Sequence, residues 1–359
     1  AGKFTEFLTQ HVTTQLGVNH ILDDLTEVLG YEDPNNKDIR AIRTKKHGDI
    51  EADLFIDCTG FKSLLLGQYL DVPFIDCKHV LFNDTALAVH VPYADEHAPI
   101  ASHTISTAQK AGWIWDIGLP SRRGVGYVFS SAHSSNEEAE QTLRQYIHAS
   151  RPDLAQQLDI RKIDIRPGHR EVFWKQNCVA VGLSAGFLEP LEASALVLIE
   201  LAAEMISQQL PANRAVMDIV AKRYNDKFLY RWARIIDFLK LHYVLSKRRD
   251  SAYWIDNCRP ETIPESLQEL LTLWRHQSPY HADFTNTDEV FPSASYQYVL
   301  YGMQFEMQER ATLSRQMSEH DKALALFQQN QQMTDKMLRA LPSNRALIEQ
   351  IKTRGLQKI

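Results

Sequence analysis

The stretch from Asn177 to Glu200, NCVAVGLSAGFLEPLEASALVLIE, restricts the possible folds of this chain more than any other. Val179 to Val181 read as a buried strand, Gly182 to Gly186 as a turn of small residues, and the run after Pro190 as a strongly apolar helix. Proline suits a first helical turn, where its missing N–H costs nothing. A helix opening there leaves its first N–H groups without intrahelical partners, and the positive end of its dipole favours anions. Glu192 falls in the expected first turn, so the segment offers an anion cradle with a carboxylate beside it. Taken alone, it is also what an ordinary strand-to-helix crossover looks like.

Composition narrows the class. A chain of 359 residues holds one large domain or two ordinary ones. Apolar content of 44% and charged content of 23% are those of a soluble globular protein. A net charge of −6 argues against nucleic acid as a partner. There is no apolar run long enough for a bilayer and no secretory leader pattern, so a cytoplasmic protein without a membrane partner is expected. Cys58, Cys77, Cys178 and Cys258 lack metal-type spacing, and no metal is expected. The cysteines in apolar strand contexts suit buried, reduced thiols.

Periodicity orders the rest. Phe4, Phe7, Leu8 and Val12 have helical spacing over 3–16. Strands are expected at 18–29, 38–44 and 50–57, the last ending at Asp57, with Thr59-Gly60 turning into a short helix. Alternation from 79 to 131 predicts antiparallel strands, 136–149 an amphipathic helix, and 161–173 a strand leading into the key segment. From Leu191 onward helices dominate: 191–209, 212–246, 264–275 and 293–340 with breaks. The run from Glu306 to Arg339, rich in Gln, Met and charge, reads as a surface helix or loosely held terminus with no function assigned. No internal repeat, zinc-type spacing or Ser-His-Asp pattern emerges. Histidines such as His90 and His242 read as structural.

Four blocks carry a family resemblance. ADLFIDCTGFKSLLL (Ala52 to Leu66), GWIWDIGLPSRRGVGYVFSS (Gly112 to Ser131), FLEPLEAS (Phe187 to Ser194) and DFLKLHYVLSKRRDSAYW (Asp237 to Trp254) resemble, in this order, motifs of the flavin-dependent tryptophan halogenases. The resemblance implies an α/β fold of flavin monooxygenase type, with an FAD-binding core, an antiparallel substrate-facing sheet and a mostly helical C-terminal subdomain. Residues 1–200 would form the core and 201–359 the helical, substrate-covering part. The implied reaction uses reduced FAD, oxygen and chloride or bromide to halogenate an indole or other electron-rich aromatic through hypohalous acid. A separate flavin reductase would supply the reduced cofactor. Monomer and homodimer both stay open.

The resemblance also implies roles. Glu192 takes the place of the active-site glutamate, able to stabilise a cationic intermediate or accept its proton. Backbone amides at Ser194 and Ala195 would bind halide, Ser-Ala standing where relatives have Thr-Gly, and Ala193 where many have serine. Gly182, Leu183, Gly186 and Leu196 would lie along the flavin, and for Asp57, Thr59 and Gly60 structure and cofactor proximity are equally good readings. Trp113 and Trp115 belong to a W-x-W-x-I-P signature, read here as W-I-W-D-I-G, whose indoles would wall substrate off from flavin. Phe291 and Ser295 fall in the segment that contacts substrate. The Tyr-Tyr and glutamate pattern that grips a free amino acid is not evident upstream of Phe291, which favours a simple indole over free tryptophan.

Two features leave alternatives. The chain lacks a G-x-G-x-x-G turn, which the family carries near its N-terminus ahead of a catalytic lysine, so an incomplete core is expected. An aromatic-hydroxylating flavin monooxygenase, or a non-catalytic remnant, would share much of this pattern.

Overall fold

The computed structural model of the protein describes residues 2–285, 289–308 and 319–356. The chain divides into two compact units that interleave in sequence. The first comprises Ala1–Phe74, Arg170–Ala185 and Ile199–Phe228, and the second comprises Ile75–His169, Gly186–Leu198 and Leu229–Ile359.

In the first unit, helix α1 (Gly2–Gln15) buries no residue. Strands β1 (Leu25–Gly30), β2 (Ile39–Thr44) and β3 (Gly48–Glu51) form an antiparallel meander. Residues 18–24, expected to extend the first strand, contain no strand. Strand β4 (Phe55–Asp57) runs parallel to β13 (Cys178–Ala180), with Phe55 opposite Cys178 and Asp57 opposite Ala180. β12 (Trp174–Lys175) flanks β13 antiparallel. Both sequence motifs, Ala52–Leu66 and Asn177–Glu200, therefore contribute a strand to one sheet.

The second unit is built on five antiparallel strands. They are β6 (Thr85–Pro92), β7 (Ile105–Gln109), β8 (Gly112–Gly118), β9 (Arg122–Phe129) and β10 (Arg161–Asp164), in the order β10-β6-β9-β8-β7. Side chains alternate across such a sheet, so each strand feeds two cores. One face sends Leu87, Val89, Ile114, Val125 and Phe129 against Ala139, Leu143 and Ile147 of α2 (Asn136–His148). A capping box between Ser135 and Glu138 fixes the start of α2. The opposite face sends Ala86, Trp113 and Val128 against Tyr243, Tyr253 and Trp254. Two covered faces explain why the central strands bury consecutive residues, as over Thr85–Leu87 and Val125–Phe129.

Strands β5 (Phe74–Asp76), β11 (Gly168–Arg170) and β14 (Gly186–Phe187) make a small sheet. The helices are α3 (Ser194–Gln208), α4 (Arg214–Val244), α5 (Ala252–Asp256), α6 (Glu265–Trp274), α7 (Ser293–Gly302), α8 (His320–Ala340) and α9 (Asn344–Arg354). Phe238 and Leu241 of α4 pack with Leu267 and Trp274 of α6 and with Tyr296 and Leu300 of α7. The helix expected over 293–340 is interrupted: α7 ends at Gly302 and α8 begins at His320. Residues 309–318, inside the run from Glu306 to Arg339, lie outside the described residues. Among the described residues no helix is long and apolar enough to cross a membrane.

Candidate active site

The turn between β14 and α3 differs from the sequence expectation. Helix α3 begins at Ser194, not at Leu191. Glu192 and Ala193 instead take left-handed backbone conformations, with φ of 61° and 50°. Glu192 is therefore not in the first turn of the long helix but in a strained turn just before it, a conformation non-glycine residues adopt at a cost of about 1–3 kcal/mol each. At Ser194 the backbone returns to the right-handed region (φ −61°, ψ −21°). A left-handed residue followed by a right-handed one points successive N–H groups into one concavity, an anion-binding nest. The nest coincides with the N-terminus of α3, so Ser194 and Ala195 sit where two independent effects favour a negative ion. Ser194 is buried and Ala195 exposed.

Two glutamates anchor this turn. Glu189 is buried, 3% exposed. Its Oε2 accepts hydrogen bonds from Trp113 Nε1 (2.9 Å), Asn83 Nδ2 (2.6 Å) and the Tyr243 hydroxyl (2.5 Å). Asn83 in turn accepts from the Tyr253 hydroxyl at 3.0 Å. Its second oxygen, Oε1, is buried with no partner among the described residues. Burial pushes the Glu189 carboxyl up, while the three donors pull the other way, and burial also raises the Tyr243 hydroxyl beside it. Glu189 went unnoticed in the sequence. The signal available was its own motif, which repeats a glutamate at three-residue spacing around Pro190.

Glu192 faces elsewhere. Its Oε1 lies 3.1 Å from His242 Nε2, and this hydrogen bond holds its carboxyl below the usual carboxylate range. His242, set aside as structural in the sequence, is thus a direct partner of Glu192. Consecutive residues of α4, His242 and Tyr243, grip the two glutamates of one turn.

A cavity of about 670 Å³ opens here, lined by Trp113, Leu191, His242, Tyr243, Trp254 and Met303 among others. Its walls are mainly apolar and aromatic, with few polar groups, as in sites for small aromatic molecules. Trp113 and Trp115 meet edge-on, ring centroids 6.3 Å apart. Trp115 lies across Gly126 of β9, its cross-strand partner, where an added Cβ would fall 2.0 Å from the indole. The second glycine of the GVGYV motif therefore makes room for a tryptophan of the preceding motif. Phe291 stacks on Phe238 at 4.0 Å, and Phe238 meets His242 edge-on at 5.1 Å. Phe291 and Ser295 are not among the residues lining the cavity, and Ser295 lies in α7. Residues 286–288, immediately upstream of this segment, lie outside the described residues.

The residues expected along a flavin fall into both units. In the first, Gly182 and Leu183 follow β13, and Leu183 is 41% exposed. In the second, Leu196 of α3 is 69% exposed. Exposed apolar side chains of this kind fit the face of a planar aromatic ring. Gly186 has a different reason for lacking a side chain: a Cβ there would fall 2.5 Å from the Gly168 carbonyl oxygen, within its own sheet. Asp57 has a structural task. Its carboxylate accepts from Thr59 Oγ1 (2.6 Å) and from the backbone N–H of Leu65 (3.1 Å) and Leu66 (2.8 Å), capping the helical turns at Leu64–Tyr69.

Comparisons with known proteins identify the family. A family profile described as "Tryptophan halogenase" matches residues 1–319. The chain belongs to the tryptophan halogenase family. It is 37% identical over 302 residues to tryptophan 6-halogenase SttH of Streptomyces toxytricini, covering 84% of this chain and 56% of that protein. It is 36% identical over 309 residues to 7-chloro-L-tryptophan 6-halogenase KtzR of a Kutzneria species, covering 84% of this chain and 57% of the relative. The chain thus spans little more than half the length of these relatives. Among solved structures, a tryptophan halogenase from Shewanella frigidimarina superposes with a TM-score of 0.93 at 48% identity, covering 100% of this chain and 67% of that one. The fold, mixed α/β with a helical C-terminal region, is that of flavin-dependent halogenases.

Proposed function

We propose that this protein is a cytoplasmic flavin-dependent halogenase that transfers chlorine or bromine to an indole or another electron-rich aromatic. Residues 1–200 would belong to its FAD-binding core and 201–359 to the part that covers the substrate. One observation carries the reading: the change of backbone hand at Ala193–Ser194, at the N-terminus of a long helix, directly beside the Glu192 carboxylate. An anion nest next to a carboxylate suits a halide on one side and a cationic ring intermediate on the other.

The site would take FAD reduced by a separate flavin reductase, which with oxygen would supply the oxidising equivalents needed to turn halide into hypohalous acid. Gly182, Leu183, the Gly186 backbone and Leu196 would each take part in holding the cofactor, as the family resemblance implies. The amides of Ser194 and Ala195 would hold the halide. Trp113, fixed through its indole N–H by Glu189, and Trp115, fixed by the space at Gly126, would exclude the substrate from the flavin by volume. The substrate would enter the aromatic cavity, and Phe291 and Ser295, which lie outside its lining, would contact it as the family resemblance implies. Glu192 would stabilise the ring cation and accept its proton.

The relatives' names point to tryptophan, while the sparse polar lining of the cavity suits a simple indole. Incubation with FAD, a flavin reductase, bromide and a panel of indoles including free tryptophan, followed by mass spectrometry, tests the reading. A brominated product is expected. An oxygenated product formed without halide would instead identify a hydroxylating monooxygenase, and no product at all would favour a non-catalytic chain.

A further inference from the structure

The contact between Glu192 and His242 has only two protonation patterns open to it. His242 Nδ1 lies 2.9 Å from the carbonyl oxygen of Phe238, and Nε2 lies 3.1 Å from Glu192 Oε1. A carbonyl has no proton to give, so Nδ1 carries one. A neutral imidazole is protonated on one nitrogen alone. Nε2 therefore either gains a second proton and donates it to a carboxylate, or accepts one from a carboxylic acid. A bare Nε2 against an ionised Glu192 would set two lone pairs face to face. In both permitted patterns one proton lies between the two side chains.

The surroundings select the ionic pattern. The Glu192 side chain is 39% exposed, which keeps its charge partly solvated. Its carboxyl is held below its ordinary range by the hydrogen bond from His242. The cations on the cavity wall, Lys247 and Arg248, are engaged elsewhere. Lys247 donates to Gln304 at 3.0 Å and Arg248 to Asp250 at 2.6 Å. The Phe238 ring, edge-on to the imidazole, brings no charge.

We propose that Glu192 and His242 form a single-proton dyad, in which His242, a residue of the cavity wall, is a positioning residue that holds Glu192 in place and keeps it ionised. This rests on the halogenase reading for its purpose. As the ring regains aromaticity, the C–H bond at the halogenated carbon breaks and its electron pair returns to the ring. The proton passes to Glu192 Oε2, while Oε1 stays bonded to the imidazolium. Released to water, that proton restores the resting pair.

Nitrogen-15 NMR of histidine-labelled protein tests the dyad without any turnover. The His242 signal is assigned by its loss in His242→Gln. At pH 7 both ring nitrogens should be protonated. In Glu192→Gln, which removes the opposing charge, the doubly protonated ring should be lost. A bare Nε2 at pH 7 in the unaltered protein, or a doubly protonated ring kept in Glu192→Gln, would overturn the proposal. In the halogenation assay, His242→Gln still donates a hydrogen bond but cannot titrate. Its kcat should fall less than that of His242→Ala; equal losses in the two variants would refute the positioning role. A protein with the doubly protonated ring but no halogenated product would uphold the dyad and sink the halogenase reading.

Discussion

Glu189 and Glu192 stand three residues apart in one turn and meet opposite surroundings. The first is buried among three donors from β8, α4 and the residue preceding β6 by two positions, Asn83. The second is turned outward by a left-handed backbone and holds only a histidine. The difference separates two jobs that one residue type can do. A buried carboxylate with converging donors fixes the geometry of a turn, and an exposed one next to a cavity stays available for chemistry. Two left-handed non-glycine residues in succession are unfavourable locally, so something must hold them. The grip on Glu189, just ahead of them, supplies that constraint.

If that division is right, removing the buried carboxylate should do the most damage. Glu189→Ala would leave the Trp113, Asn83 and Tyr243 donors facing a void, and should destabilise the fold by about 3–5 kcal/mol in urea unfolding. A loss under about 1 kcal/mol would show that the turn is held some other way.

Lys240 sharpens the buried side of the contrast. It is fully buried on α4, donating to Asn257 Oδ1 (2.9 Å) and the Val80 carbonyl (3.1 Å), and burial pushes its ammonium down to about 7. An unfolded lysine titrates near 10.4, so between about pH 7 and 10 the unfolded chain holds a proton that the folded one lacks. Stability relative to Lys240→Met should therefore rise with pH across that window, by up to about 1.4 kcal/mol per unit. A flat difference would mean that the buried ammonium is fully compensated.

Much of this architecture was legible beforehand, for identifiable reasons. The four strands between 79 and 131 announced themselves through alternation, and β4 and β13 as apolar runs each ending in a tight turn, but the parallel pairing of those two is seen only in the structure. Glu192, Ser194 and Ala195 were legible as neighbours because they are adjacent in sequence. The start of α3 was misplaced because Pro190 mimics a helix opening, whereas the strained residues that follow, Glu192 and Ala193, carry no glycine to betray them. Glu189, Asn83 and His242 were hidden because these partners lie 50 to 170 residues away, and no local pattern encodes such contacts. Gly126 was visible only as a motif letter. Its purpose required knowing that Trp115 sits opposite it.

That cross-strand pair offers a milder test, beside Trp113 of the cavity wall. Trp113 is held by a hydrogen bond to Glu189, Trp115 by empty space at Gly126. Gly126→Ala should push the Trp115 indole aside at a cost of about 1–3 kcal/mol, with an altered near-ultraviolet circular dichroism spectrum. Gly124→Ala, where nothing lies within 4 Å of an added Cβ, should leave that spectrum as it is. Equal effects at the two positions would remove Trp115 from the argument.

The smallest effect belongs to Glu192 itself. Its carboxyl is lowered by the His242 hydrogen bond, so the folded state gains from it above the unfolded carboxyl value and loses that gain as pH falls through the folded one. With 39% of the side chain exposed, solvent screens the pair, and the gain should be about 0.5 kcal/mol or less. Glu192→Gln should thus leave urea unfolding at pH 7 nearly unchanged while cutting turnover by about 10²-fold or more, the range for a lost general base. A variant as unstable as Glu189→Ala would mean that both glutamates serve the fold. Full stability with full turnover would leave the outward carboxylate without a task.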